Sequence, residues 1–215
     1  VIQRWEAEGA VRAAQASLEQ QVQQRTAMLF QTVESLQRQI NERKRAEMEV
    51  RRRLNTERAL RDIYARLMKA TDFDQATAAT LADIGKKLDS EQVLLLRFQP
   101  ESHSLVISHR WQQNSAYFPT SSEEISAKHI PHLLKHLHEV GFLLLSQDAE
   151  EDFDIPNEFT PFRSWFSETM LVLPLHVSGE LAALLVCCDA KQLREDQEEG
   201  INFVQAAVGM LSGML

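Results

Sequence analysis

Three groups of residues carry side chains whose type and spacing could do chemistry. In "HIPHLLKHLHE", residues 129 to 139, His132 and His136 stand one helical turn apart with Glu139 on the same side, a spacing that could hold a transition-metal ion. Leu133, Leu137 and Val140 claim the core-facing side of that helix, which leaves the histidines on the outer surface, short of convergent ligands and a supporting shell. No metal site is expected there. Cys187 and Cys188 are adjacent in an apolar run; on an extended strand they point to opposite faces and cannot staple distant parts of the chain. Buried free thiols of this kind pack and do not react.

The third group is aromatic. "DFDIPNEFTPFRSWF", residues 152 to 166, concentrates Phe153, Phe159, Phe162, Trp165 and Phe166 in one loop. With Trp111 and Phe118 these residues could line an apolar small-molecule site closed by the loop, or they could plug a sheet with no ligand at all. No cofactor is implied, and an unidentified small molecule remains open.

The elements that position these groups follow from periodicity. "LRDIYARLMKA" and "FDQATAATLADIGKKL" read as helices, the first with Leu60, Ile63 and Leu67 on one face. The period then changes to two: "QVLLLRFQP" and "SLVISHRWQ" read as a strand hairpin. A polar loop leads to a helix opened by Pro131 and closed by Gly141. "FLLLS", "MLVLPLHV" and "ELAALLVCCD" are strands, the last two joined at Ser178-Gly179 by a two-residue turn. A helix follows from about Arg194, with one stripe at Ile201, Val204, Val208, Leu211 and Leu215 and another at Phe203, Ala207, Met210 and Met214. One stripe is expected to cover the sheet and the other to meet a partner helix.

The first third of the chain has another character. Between Gly9 and Gly85 there is no glycine, and the first proline is Pro100, so both strong helix breakers are missing. From Val11 and Ala14 the stripe Leu18, Val22, Arg25, Leu29, Val33, Leu36, Ile40, Arg43, Glu47, Val50 and Leu54 advances by threes and fours, as a coiled-coil seam does. Two consecutive fours, Ala14 to Leu18 to Val22 and Arg25 to Leu29 to Val33, are stutters that locally unwind the supercoil. Arg25, Arg43 and Glu47 place charge in the seam, tolerable because their stems snorkel toward water.

Charge divides the chain at the same place. Residues 1 to 61 carry 12 Lys plus Arg against 8 Asp plus Glu, a net of +4, whereas residues 62 to 215 carry 11 against 23, a net of -12. Glu42, Glu47, Glu49 and Glu57 interrupt the basic run, and no aromatic residues are interleaved to stack on bases, so nucleic-acid binding is not expected. The longest apolar runs fall far short of the roughly 20 residues that cross a bilayer as a helix, the sequence from Val1 shows no charged n-region followed by an apolar h-region, and the cysteine usage fits a reducing cytoplasm. The chain is expected to be a cytoplasmic fragment of a longer protein.

"LEQQVQQRTAML" and "LQRQINERKRAE" resemble the signalling-helix linker between sensor and output domains of bacterial sensor histidine kinases and diguanylate cyclases, through Leu18, Glu19, Val22, Arg25, Thr26 and Leu29, then Ile40 and the run Glu42 to Glu47. The order of elements over residues 56 to 215 resembles a GAF domain, most specifically in "SETMLVLPLHVSGELAALLVCCD", where Pro174, Leu175, Gly179 and Leu184 match that family's hairpin. The expected fold is α+β: a GAF-like antiparallel sheet flanked by helices, residues 56-215, behind a coiled-coil helix, residues 1-55. The resemblance implies a sensory and dimerisation module, a homodimer through its N-terminal and C-terminal helices, with upstream and downstream domains in the parent chain. No cysteine occupies the middle helix or its loop, where bilin-binding members attach their chromophore. The cyclic-nucleotide signature and the loop cysteines of the sulfoxide reductases are also missing, so no enzymatic activity is expected of this chain.

Overall fold

The computed structural model describes residues 2–113, 124–146, 158, 162, 165 and 167–213, without the side chains of residues 2–17 and 194–195. The chain divides between Asn55 and Thr56 into two units. One helix, α1 (Ile2–Lys69), runs through both. In the first unit every side chain from Leu18 to Arg51 is exposed, and the apolar seam positions range from 45% exposure at Leu54 to 66% at Leu29. Exposed ion pairs one turn apart, Arg43 with Glu47 at 2.7 Å and Arg53 with Glu49, line the basic stretch. Each such pair adds only a few tenths of a kcal/mol. Glu47 thus pairs with Arg43 and not with Arg51, although both lie four residues away.

In the second unit the last turns of α1 bury Ile63 and Leu67. α2 (Phe73–Leu88) starts at Asp72, whose side chain accepts the Gln75 N–H, and it buries Ala76, Thr80, Leu81, Ile84 and Leu88. The sheet follows as β1 (Gln92–Gln99), β2 (Ser104–Gln112), β3 (Glu124–Ser126), β4 (Leu143–Ser146), β5 (Thr169–Val177) and β6 (Glu180–Cys188), in spatial order β3-β2-β1-β6-β5-β4. All pairings are antiparallel. A 3-10 turn and α3 (Pro131–Val140) lie between β3 and β4; α4 (Lys191–Glu195) and α5 (Gln197–Ser212) close the unit.

The central strands are buried on both faces, which explains their nearly continuous apolar sequence. Val93, Leu95, Leu171, Leu173, Leu185 and Cys187 face one core, shared with α1, α2 and α5. Leu94, Leu96, Met170, Val172, Leu184 and Cys188 face the other, shared with α3. A period of two assigns each residue its face. The β5–β6 turn has positive φ at both Ser178 (54°) and Gly179 (86°), the conformation that matches the twist of the strands it joins.

Three local expectations need correction. β3 is an unanticipated edge strand of three residues, recognisable by only one inward side chain, Ile125. Val140 does not face the core: it is 51% exposed, because α3 ends there and Gly141 turns the chain away at φ 86°. On α5 two residues of the second stripe do not stand free: Phe203 and Ala207 are buried in the same core as Ile201, Val204, Val208 and Leu211. The two stripes merge because the helix sits in a trough between α2, α4 and the sheet, and its exposed side is Asn202, Gln205 and Gly209.

Candidate functional site

The α3 face of the sheet gathers most of the side chains that could recognise something. Two carboxylates, Glu158 and Asp189, make the polar contacts of several described residues between β4 and β5. Glu158 reaches the N-terminus of α3, where Ile130 provides no side-chain cap. Its carboxylate accepts the Leu133 N–H at 2.9 Å, the His132 N–H at 3.3 Å and a contact from His132 Nδ1 at 2.6 Å. These bonds satisfy orphan donors of the first turn and set a negative charge at the positive end of the helix. Burial opposes that charge, but the Leu133 N–H and the His132 ring and N–H outweigh it and hold the Glu158 carboxyl below its usual range.

Asp189 is the second anchor. It follows β6 in a left-handed conformation, φ 52°, that aims its buried carboxylate back along the sheet. The backbone N–H groups of Ser167, Glu168 and Thr169 and the Ser167 hydroxyl all donate to it, at 2.6 to 3.2 Å. Between the anchors, Phe162 and Trp165 are 0% and 4% exposed, their rings edge to face with centroids 5.1 Å apart. Gln92 donates to the Trp165 carbonyl at 3.3 Å and ties that residue to β1.

The described aromatic residues therefore do not line one cavity. Phe162 and Trp165 fill the core beneath α3, whereas Trp111 packs on the opposite face of the sheet, against α2. One residue of β2 cannot serve a site on the other side of a sheet, so the grouping of Trp111 with Phe162 and Trp165 is corrected. Phe118, Phe153, Phe159 and Phe166 lie outside the described residues.

The histidine cluster of α3 also separates. His132 is engaged by Glu158, and Glu139 pairs with Lys135 at 3.8 Å. Among the described residues no group of three or more metal-ligating side chains converges. Burial pushes the Cys187 thiol far above its ordinary value, and burial pushes Cys188 up to about 12, so both thiols stay protonated and unreactive.

A cavity does exist on this face, at the other end of α3. It has a volume of about 260 Å³ and is lined by Leu134, Leu137 and His138 of α3, Pro174 and His176 of β5, Gly179 of the turn and Leu181 of β6. The two imidazoles meet edge to face, centroids 6.2 Å apart. Glu158, Asp189 and this histidine pair escaped sequence reasoning because each acts across at least 20 residues of chain. Only the apolar spacing of Leu133 and Leu137 hinted at the helix that joins them.

No protein-family model matches this sequence, and no curated protein matches it. Solved structures do resemble it. The chromophore-binding domain of Stigmatella aurantiaca bacteriophytochrome superposes with a TM-score of 0.59 at 15% identity, over 74% of this chain and 59% of that one. This chain thus spans about three fifths of that relative's length. A phycocyanobilin-bound GAF domain from a cyanobacterial phytochrome gives 0.58 at 20% identity, over 73% of this chain and 93% of the other. A free methionine-R-sulfoxide reductase from Neisseria meningitidis gives 0.54 at 17%, over 74% and 87%. At these identities the likeness concerns the fold: the chain carries a GAF-like domain together with a long N-terminal helix.

Proposed function

We propose that this chain is a sensory and dimerisation module of a bacterial signal-transduction protein. Two copies pair in parallel through α1, and the helix relays a conformational signal through the GAF-like domain to an output domain, such as a histidine kinase or diguanylate cyclase, elsewhere in the parent protein. The observation that supports this most is the double life of α1. Its seam from Leu18 to Leu54 stands in water in the single chain, while its last turns bury Ile63 and Leu67 at 0% and 1% exposure. Burying a Leu or Val side chain contributes about 1.5–3 kcal/mol, and a second copy of the same helix supplies the missing surface. A rotation of the paired helices would then reach the sheet through Ile63 and Leu67.

The seam is built to switch. Stutters and the charged layers Arg25, Arg43 and Glu47 keep alternative registers close in free energy, and a two-state relay needs such a small gap. The reading is non-catalytic and cytoplasmic, with no membrane or nucleic-acid contact by this chain. Native mass spectrometry tests it: two chains at micromolar concentration are expected, and a clean monomer would overturn the relay.

A second reading makes the chain a small-molecule receptor, with the α3 face as its input. The packing supports it, because Phe162 and Trp165 are buried in the core of that face, beside α3. The similarity to a phycocyanobilin-bound domain adds to it. Replacing Trp165 separates the two readings: a receptor loses its response, whereas a relay keeps transmitting upstream signals.

A further inference from the structure

We propose that the cavity between the end of α3 and the β5–β6 hairpin binds a small uncharged aromatic molecule with one hydroxyl, a compound of the phenol class, and that His176 is the partner of that hydroxyl. The inference deepens the receptor reading, on which its role in the cell rests, by naming a ligand class and its place on the α3 face. Two irregularities of the sheet make the space. On β6, Ala183, Leu185 and Cys187 face the α2 side and Leu184, Val186 and Cys188 the α3 side, so alternation alone would send Leu181 with the first set. A bulge changes this: Leu175 pairs with Ala183 but His176 with Leu181, and the extra residue re-aims Leu181 onto the α3 side, where it becomes a cavity wall. Across β5, β4 pairs only as far as Val172, so Pro174 and His176 have no strand beyond them among the described residues. Pro174 suits that place because it has no N–H to leave without a partner.

The wall sets the chemistry. Leu137 is buried, Leu134, Pro174 and Leu181 are half-buried, and His138 and Gly179 stand exposed at the rim. An apolar cavity of about 150 Å³ holds benzene, so a space of about 260 Å³ takes one ring with a small substituent or a fused pair of rings. No Lys, Arg, Asp or Glu lines it, and an ion placed there would lose its hydration without gaining a counter-charge. The ligand is therefore uncharged. The two imidazoles are the only polar side chains of the wall, and apart from their edge-to-face contact neither has a hydrogen bond or ion pair with a described residue. A hydroxyl needs only one imidazole nitrogen, as donor or acceptor, so the rings need not converge on a single atom. His176, the half-buried one, is assigned this bond, and the rim ring of His138 offers its aromatic surface to the ligand's ring.

The test is calorimetric titration of the full chain with p-cresol, toluene and benzoate. One p-cresol per chain is expected; toluene, which lacks the hydroxyl, and benzoate, which carries a charge, should each bind more weakly by about fivefold or more. His176→Phe keeps a ring and removes its nitrogens, so p-cresol should fall to the affinity of toluene. Leu134→Trp fills the cavity and should abolish binding. No saturable p-cresol binding at millimolar concentration, benzoate bound as tightly as p-cresol, or p-cresol binding unchanged in Leu134→Trp overturns the proposal. Should that variant fail to fold, nuclear Overhauser contacts between the p-cresol ring and the methyl groups of Leu134, Leu137 and Leu181 in the wild type decide: their presence supports the site and their absence refutes it. Bound p-cresol that leaves the output of the parent protein unchanged would remove the receptor reading while the site itself stands.

Discussion

The indole of Trp111 occupies the space that a side chain on Gly85 would need: a Cβ built there would lie 1.9 Å from the ring. This contact seats α2 against β2 and explains why the last turn of the helix carries glycine. Gly85→Ala gains helix propensity of about 1 kcal/mol, but it forces the indole or the helix to move, at an overpacking cost of about 1–3 kcal/mol. Net destabilisation is expected, visible as a lower urea midpoint. In a Trp111→Leu background the same substitution should become neutral or stabilising, and equal losses in both backgrounds would show that the clash is not the cause.

How far the sequence revealed this arrangement depends on the range of the signal. The strands of the central sheet, the hairpin at Ser178-Gly179 and α3 between Pro131 and Gly141 were readable because each rests on neighbours within a few residues. Alternation tells which residues of one strand share a face, but not which face of the sheet a loop residue meets, so the sequence does not separate Trp111 from Phe162 and Trp165 on the other side. The merged stripes of α5 escaped for a related reason. A helix in a trough buries more of its circumference than one lying on a flat surface, and only the tertiary contacts of Phe203 and Ala207 reveal it. Asp189 gave no local signal at all, since its partners Ser167 to Thr169 lie about 20 residues earlier.

Asp189 is expected to be the most sensitive polar position in the domain. Asp189→Ala removes the acceptor for three backbone N–H groups and leaves them at the end of a buried strand, where each unsatisfied donor costs about 1–3 kcal/mol. Water reaches part of this exposed turn, so a loss of about 2–4 kcal/mol is expected on chemical unfolding. Asp189→Asn keeps one carbonyl acceptor and should lose less. Trp165 fluorescence should shift to the red in the alanine variant under native conditions, reporting a loosened indole; an unchanged spectrum would show that Gln92 and α3 hold it unaided.

The Glu158 anchor makes a pH-dependent prediction. Folding depresses its carboxyl, through its hydrogen bonds to Leu133 and His132. A group of this kind contributes stability that is fully present above its unfolded value, about 4.3, and is lost as pH falls through its lower folded value. The stability difference between wild type and Glu158→Gln should therefore be constant from pH 7 to about pH 5 and shrink below about pH 4. Unfolding midpoints across that range check it, and a difference that persists at low pH would mean the carboxylate charge contributes nothing.

The last prediction concerns the seam. If α1 pairs with a second copy, Leu29 and Leu36 lie inside the interface, and Leu29→Asp/Leu36→Asp buries two unpaired carboxylates or abolishes pairing. Loss of the dimer is expected, measured by light scattering, while the GAF-like domain keeps its thermal transition because its core uses neither residue. Arg43→Leu/Glu47→Leu acts in the opposite direction. It removes an exposed ion pair worth a few tenths of a kcal/mol and fills two charged layers with apolar surface, so the dimer should tighten by at least tenfold. In the parent protein this tighter seam should hold output in one state, because the relay depends on registers of nearly equal free energy. A tighter dimer with unchanged output would separate the two roles: α1 would still join the chains, but the signal would pass by another route.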